Sequence, residues 1–370
     1  MLEALIAQLV AGRALADDQV ADAVDNLVNE SVPATLKADF LSRLSQKGET
    51  IDEIAAFARV LRDKSIAPPL DAKTRAEEIL DVCGTGGDRL GTFNISTTVA
   101  IVCAAAGITV AKHGNRAITS RAGSADVLET LGVRIDLSPA EAARSLREHH
   151  FAFFFAPNYH PAFKHIAPAR KLCAERGQRT IFNFLGPLLN PVRPTAQLIG
   201  VPRPELCETI ARVLQALGIR RGMVVSGSVG QALRLSPYEA GEGHETGGTP
   251  ILREAETSLD ELSTLGPSTI AEFYQERGFA SSVLSREQFP LQSATLADLL
   301  GGDRQTNAEI VRRILSGDER GPKRDAVLLN AGAALLVAGR VRSISDGWDL
   351  AAQIIDDGQA EVKLRELAVH

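Results

Sequence analysis

The stretch richest in chemistry is D-V-C-G-T-G-G-D, Asp81 to Asp88, followed by T-F-N-I-S-T-T, Thr92 to Thr98, and then an apolar run. Glycines let backbone N–H groups approach a ligand closely, and a helix start offers unpaired N–H donors at the favourable end of a dipole. Together they suit an anion of the pyrophosphate type. The string lacks the G-x-x-x-x-G-K-[ST] of a P-loop, and its glycines do not match G-x-G-x-x-G. Taken alone, a tight strand-to-helix turn would account for the same glycines equally well.

A second loaded segment follows the next strand candidate: K-H-G-N-R-A-I-T-S, Lys112 to Ser120, running into R-A-G-S-A-D, Arg121 to Asp126. In open α/β sheets ligands bind at the carboxyl ends of strands, where this lysine, amide and group of hydroxyls emerge. Lys112 supplies a point charge for phosphate, and Asn115 can both donate and accept hydrogen bonds. Each polar residue singly reads as a solvated loop position, but two adjacent strand ends loaded in this way favour phosphate binding. Asp260 and Glu261 stand side by side as hard oxygen ligands, and magnesium takes one or two carboxylates beside waters and substrate phosphates. Among 46 acids, an acidic pair is ordinarily a solvated face. His113 and His160, as single histidines, read first as packing or orienting groups.

The elements that must position these residues alternate. Leu2, Leu5, Ile6, Leu9 and Val10 recur at helical spacing, and Thr50 with Glu53 forms a capping box that predicts a helix from Ile51 to about Asp63. Pro68-Pro69 breaks the pattern. From Glu78 onward short apolar runs alternate with helical segments, the mark of a largely parallel sheet with crossover helices. Strands are expected at Ile79 to Cys83, Ile108 to Ala111, Phe151 to Phe155 and Val224 to Ser226. Helices are expected from Thr97 to Ala106, from a Ser124 cap to Gly132, after Ser138-Pro139 with Glu141, between Tyr159 and Arg176, and from Asp325 to Val369. Ser228 to Ser258 is rich in Gly, Glu and Thr, with strand-like pieces at Leu233 to Leu235 and Ile251 to Leu252, and reads as a hairpin excursion or a long loop.

The 370 residues suffice for one large and one smaller domain, and a net charge of −6 shows no basic excess for neutralising nucleic-acid backbone. No apolar run is long enough to span a bilayer and the start carries no signal pattern, so a soluble cytoplasmic protein without nucleic-acid or membrane partners is expected. Cys83, Cys103, Cys173 and Cys207 are scattered without a C-x-x-C pair and read as buried thiols.

With G-T-G-G-D, T-F-N-I-S-T, K-H-G-N-R and G-S-A-D-x-L-E at these spacings, the chain resembles the anthranilate phosphoribosyltransferases of tryptophan biosynthesis. The likeness continues through A-P-x-x-H-P-A (Ala156 to Ala162), R-T-I-F-N-x-L-G-P-L-x-N-P (Arg179 to Pro191), L-D-E-L-S-T-x-G-P (Leu259 to Pro267) and N-A-G-A-A-L (Asn330 to Leu335). It implies a nucleoside phosphorylase/phosphoribosyltransferase-like α/β fold. A small all-helical domain, residues 1–74 with helices from 159–190, would join a large α/β domain of 75–158 and 191–370 around a mainly parallel sheet.

The implied activity joins anthranilate to the ribose carbon of phosphoribosyl pyrophosphate (PRPP). By the resemblance, PRPP would be held by Gly84, Gly87, Asp88, Thr92, Asn94, Ile95, Ser96 and Thr97, by the run Lys112, His113, Gly114, Asn115, Arg116, Ala117, Ile118, Thr119, Ser120, and by Ser124. Anthranilate would be held by Gly84, Asn115 and Arg170, and magnesium by Ser96, Asp260 and Glu261. A homodimer through the helical layer is also implied. The aromatic amine needs no proton removed before attack, so no indispensable general base is expected and transition-state stabilisation falls to Lys112 and magnesium.

Two departures from the family pattern stand out. The strand reads V-V-S-G, Val224 to Gly227, where V-H-G is usual, and the Ser228–Ser258 stretch separates it from Asp260; a small expansion, Leu172 to Gln178, follows Arg170. A pyrimidine nucleoside phosphorylase is the nearest alternative enzyme, and a nucleic-acid-binding relative of the fold is the non-enzymatic one. The latter predicts a basic groove and degraded glycine motifs, and neither the intact G-T-G-G-D nor the acidic balance supports it.

Overall fold

The computed structural model describes residues 2–117, 121–230, 257–275 and 277–369. Ile118, Thr119 and Ser120, and the strand-like pieces at Leu233 to Leu235 and Ile251 to Leu252, lie outside the described residues. The strands are β1 (Ile79–Gly84), β2 (Thr109–Gly114), β3 (Phe151–Phe155), β4 (Ala196–Gly200), β5 (Arg221–Ser228), β6 (Ser258–Leu259), β7 (Ser268–Tyr274) and β8 (Gly278–Leu284). They form one sheet in the order β3-β2-β1-β4-β5-β7-β8, with β6 paired to the end of β5. From β3 to β5 all pairs are parallel, whereas β6 and β7 run antiparallel to β5, and β8 antiparallel to β7.

Parallel strands buried on both faces need continuous apolar runs, which β1 to β5 supply. Alternate residues divide the core. Leu80, Val82, Val110, Leu198, Met223 and Val225 meet the helices Ile95–Ala105, Pro322–Val337, Ile344–Asp356 and Gln359–Val369. Cys83, Ile199, Val224, Ala271 and Phe273 face the other way, onto the helices Asp17–Val28, Ala34–Lys47 and Ile51–Asp63 together with Ile166, Ala169, Cys173 and Ile181 to Leu189. Residues from the 159–190 region therefore share a core with the N-terminal helices. No helix among the described residues is long and apolar enough to cross a membrane.

Local signals act as the sequence reading expects at several places. Glu53 N–H donates to Thr50 Oγ1 and Thr50 N–H to Glu53 Oε2, and the helix runs Ile51–Asp63; Ser138 and Glu141 cap Pro139–His149 in the same way. The helix read from Ser124 differs at its start. Gly123 is its N-cap residue, and Asp126 performs the capping by accepting the Gly123 N–H at 2.9 Å, while Ser124 donates its hydroxyl to the Asn115 carbonyl. The helix read from Thr97 begins earlier, at Ile95.

The segment Gly186–Asn190 ties the two layers together. Gln197 donates to the Pro187 carbonyl at 3.0 Å, Arg62 Nε donates to the Leu188 carbonyl, and Asn190 donates to Asp81 at 2.9 Å and to the Ala111 carbonyl at 2.7 Å. The buried rings of His113 and His160 lie edge to face, 5.4 Å apart, beside this segment. Burial pushes their pKa values down to about 3 and about 4, so both rings are neutral in the folded state.

That depression has a sign. A folded-state value below the ordinary 6.5 means the unfolded chain takes up protons that the fold refuses, so stability present above pH ~6.5 is lost as pH falls towards 4. Asp81, pushed up to about 6 by burial, acts in the opposite direction and offsets part of the loss. Melting temperatures recorded from pH 7.5 to 5 should therefore fall less in His113→Gln/His160→Gln than in the parent; parallel curves would refute this account.

Candidate active site

The strand ends are shaped by an approach too close for a side chain. Gly84 ends β1, Gly200 ends β4, and the two are partners in register. A Cβ on Gly84 would lie 2.1 Å from Asp260 Oδ2, and one on Gly200 1.5 Å from the Asp260 carbonyl oxygen, so glycine is required at both. At Gly227 of β5, the Glu261 carbonyl would stand 2.6 Å from a Cβ. Residues 260–263 thus lie across a glycine floor, placing both carboxylates at the carboxyl edge of the parallel sheet.

There they occupy backbone donors. Gly86 N–H donates to Asp260 Oδ2 at 2.7 Å, within a loop whose Gly86 and Gly87 adopt φ values of +71° and +91°. Ser96 N–H, in the first turn of the Ile95–Ala105 helix, donates to Glu261 Oε1 at 3.2 Å, where the helix dipole favours negative charge. Burial pushes the Asp260 carboxyl well above the usual range, and Asp88 and Glu261 beside it push it further. Glu261 is raised to about 7, mainly by burial, with Lys112 opposing.

Lys112, only 2% exposed, reaches beneath the glycine loop to donate to the Val82 carbonyl at 2.6 Å and to Ser96 Oγ at 3.4 Å, and burial lowers its pKa. The desolvated ammonium thus faces Asp81 and Glu261, while Asp88 and Glu261 stand beside Asp260, an excess of acids that a divalent cation would balance. Among the described residues no three acid, histidine or cysteine side chains converge as a complete ligand set. That fits magnesium, which keeps waters and takes substrate phosphate oxygens beside few carboxylates, better than it fits zinc.

The other residues expected at the site fall into three groups. Ile95 and Thr97 are core side chains, so only their backbone faces a ligand. Asn94 is held by Asn307, which donates to its Oδ1 at 2.8 Å, and Asn94 donates in turn to the Ala122 carbonyl; Thr92 bridges to Leu300. In the loop after β2, Gly114 closely approaches Ser124, Asn115 Oδ1 accepts the Arg116 N–H, and Asp126 accepts the Ala117 and Gly123 N–H groups. The Arg116 guanidinium is engaged by Asp126 and Glu129, each at 2.9 Å, and not by the glycine loop.

Arg170, on the helix Ala167–Glu175, lies over the Phe182 ring with its guanidinium carbon 5.4 Å from the centroid, and burial lowers its pKa. Among the described residues no carboxylate pairs with it. Phe163 links that ring to His160 through aromatic contacts of 5.8 and 5.1 Å. A cavity of about 190 Å³ lies elsewhere, lined by Arg134, Arg144, His149 and Phe151 near the start of β3, and touches none of these residues.

Gly200 and Asn307 carry no expectation from the sequence. Gly200 has a local signal, a glycine within the apolar run L-I-G-V, but Asn307 acts through a contact distant in sequence.

Residues 76–237 and 251–361 match the a/b domain of the glycosyl transferase family, and residues 3–65 match its helical bundle domain. Anthranilate phosphoribosyltransferases of Moorella thermoacetica and Geobacter sp. (strain M21) are 44% and 41% identical to the chain, each over 99% of it and over 97% and 98% of their own lengths. The crystal structure of the Thermus thermophilus anthranilate phosphoribosyltransferase superposes with a TM-score of 0.81 at 36% identity, covering 99% of this chain and 98% of that one. The Saccharomyces cerevisiae enzyme in complex with PRPP and Mg shares the fold, with a TM-score of 0.82 at 24% identity over 99% and 96% of the two chains. With both family domains present and near-complete coverage at this identity, the chain belongs to the anthranilate phosphoribosyltransferase family.

Proposed function

We propose that this chain transfers the phosphoribosyl group of PRPP to the amine of anthranilate, giving N-(5-phosphoribosyl)anthranilate and pyrophosphate, with magnesium as cofactor. One observation carries the reading at the site. Two carboxylates raised in pKa, the half-buried Asp260 and the buried Glu261, are seated on the amides of Gly86 and Ser96 close to a buried Lys112. In this reading Gly84, Gly87, Asp88, Thr92, Asn94 to Thr97, Lys112 to Ser120 and Ser124 hold PRPP, and Ser96, Asp260 and Glu261 hold the metal. Gly84, Asn115 and Arg170 receive anthranilate.

Magnesium, when bound, supplies positive charge to the departing pyrophosphate. The chain's own part is electrostatic and geometric. The Gly86 and Ser96 amides fix the two carboxylates in place, and Lys112 adds a charge that water screens little at its depth. Arg170, flat against Phe182 and free of carboxylate partners among the described residues, presents a planar fork to the ring carboxylate of anthranilate. His113 and His160, held neutral by burial, serve in this reading as packing groups beside the Gly186–Asn190 segment. Attack therefore needs positioning and no dedicated base.

The same reading includes the division into a helical unit, 1–74 with 159–190, and an α/β unit, 75–158 and 191–370. It also includes a homodimer formed through the helical layer and a cytoplasmic location. The shared core of the N-terminal helices with Ile166 to Leu189 supports the division.

The direct test is fluorescence: anthranilate emission should disappear when PRPP and magnesium are added, and persistence beside a working control enzyme would remove the reading. Arg170→Lys keeps the charge but loses the fork. Its KM for anthranilate should rise about 10- to 100-fold while the KM for PRPP stays put, by the typical loss for a charge-assisted hydrogen bond. Asp260→Asn/Glu261→Gln should lose most of its turnover yet melt no lower than the parent at pH 8 without magnesium, because it removes two ionisations that burial opposes. A large fall in melting temperature would show that the carboxylates hold the fold together.

A further inference from the structure

The N-A-G-A-A-L motif has no part in the site as described so far, and its first residue is out of place. Asn330 lies in the middle of the buried helix Pro322–Val337, fully enclosed, with Leu328, Leu329, Ala331, Ala333 and Leu335 as apolar neighbours in the chain. Asparagine is a poor helix-interior residue, and its amide is costly to bury without partners.

Here every polar group of that amide is used, and two of the three bonds go to one residue of a distant segment. Leu262 N–H donates to Asn330 Oδ1 at 2.9 Å, and Asn330 Nδ2 donates to the Leu262 carbonyl at 3.0 Å. The remaining N–H returns to the Ala326 carbonyl one turn back at 2.9 Å, which fixes the orientation of the amide. This pairing is what a neighbouring β-strand would offer, delivered by a side chain.

Leu262 directly follows Asp260 and Glu261. The segment is anchored before the pair by Leu259 against Gly227 in the β6–β5 ladder, and after it by the Ser263 N–H donating to Ser268 Oγ at 2.9 Å. Between those anchors the Leu262 peptide groups have Asn330 as their side-chain partner. The helix carrying Asn330 is itself rigidly held. Gly332 packs backbone to backbone on Gly347 of the Ile344–Asp356 helix, where a Cβ on Gly332 would fall 2.6 Å from the Ile344 carbonyl.

We propose that Asn330 is a positioning residue for metal-dependent PRPP binding: by clamping both backbone groups of Leu262, it holds Asp260 and Glu261 over the glycine floor. The proposal rests on the reading of that acidic pair as the metal-holding group, so the experiment separates the two. A lost clamp leaves the segment without its hold at Leu262, between the Leu259 and Ser263 anchors, and the two carboxylates lose their fixed seats on the Gly86 and Ser96 amides.

The test uses the full chain and binding readouts that need no turnover. PRPP is titrated calorimetrically with and without magnesium, anthranilate binding is followed by fluorescence, and hydrogen exchange is measured at the Leu262 amide. Asn330→Ala removes the clamp. Asn330→Asp keeps an acceptor for the Leu262 N–H but sets an oxygen against the Leu262 carbonyl, and serves if the alanine variant folds poorly. Leu335→Ala, a core change on the same helix, controls for lost stability. Expected for both Asn330 variants is a loss of about tenfold or more in the magnesium-dependent gain in PRPP affinity, with faster exchange at Leu262. Magnesium-free PRPP binding and anthranilate binding should be unchanged, and Leu335→Ala should keep the magnesium gain at a similarly lowered melting temperature.

An intact magnesium gain in both Asn330 variants overturns the proposal while leaving the acidic-pair reading in place. So does an equal loss in Leu335→Ala. An intact gain in Asp260→Asn/Glu261→Gln overturns the acidic-pair reading, and the proposal with it.

Discussion

Everything at this site depends on how closely one stretch of backbone can lie on the ends of others. Asp260 crosses the paired termini of β1 and β4 at distances that leave no room for a single carbon on Gly84 or Gly200. Any other residue at either position would lift the acidic pair off the sheet edge. The donors it now occupies, the Gly86 and Ser96 amides, would be left bare. The glycines that look like a phosphate loop in the sequence thus do two things. Gly86 and Gly87 turn the chain in the left-handed region, while Gly84 makes way for a carboxylate.

The arrangement is poor for stability. Asp81, Asp260 and Glu261 stand with one desolvated lysine where burial disfavours their charges, and the raised carboxyl values report that conflict. Such a set persists only where the surroundings over-determine it. The over-determination is visible: β6 and Ser268 hold the segment at its ends, Asn330 holds its middle, and the helix beneath is fixed glycine to glycine. Electrostatic tension at the edge of the sheet is thereby maintained by a stiff core under it, which suits a site whose remaining positive charge arrives with its ligand.

Much of this was legible in the residues, and what was missed shares one cause. Capping boxes at Thr50 and Ser138 and the aromatic run Phe151 to Phe155 are local statements, and the helices and β3 follow them closely. The strand β4 is hidden in the sequence because Gln197 interrupts its apolar run; that glutamine is buried with its Nε2 donating to the Pro187 carbonyl. The hairpin β7–β8 was unread because β8 is an exposed edge strand without a core-facing pattern to betray it. At the site, motif spacing led to the glycine loop and the acidic pair. It could not show that Asp260 lies over Gly84, nor that Arg116 is occupied by Asp126 and Glu129. Contacts between distant segments leave no periodicity to read.

The junction of the two layers obeys the same logic from the other face of the sheet. Within Gly186–Asn190, Gln197 takes the Pro187 carbonyl, Arg62 the Leu188 carbonyl and Asp81 the Asn190 amide, with the rings of His113 and His160 packed alongside. Three of these partners stand on β1, β2 and β4, with their side chains on the helical face. His113 follows directly on Lys112, whose side chain points to the opposite face of β2. A strand alternates its side chains, so one backbone position orients both the ring that grips the helical layer and the ammonium under the glycine loop. The alternation of β2 thus sets the ring packed against the helical layer and the ammonium at the charged edge on adjacent residues, pointing to opposite faces of the sheet.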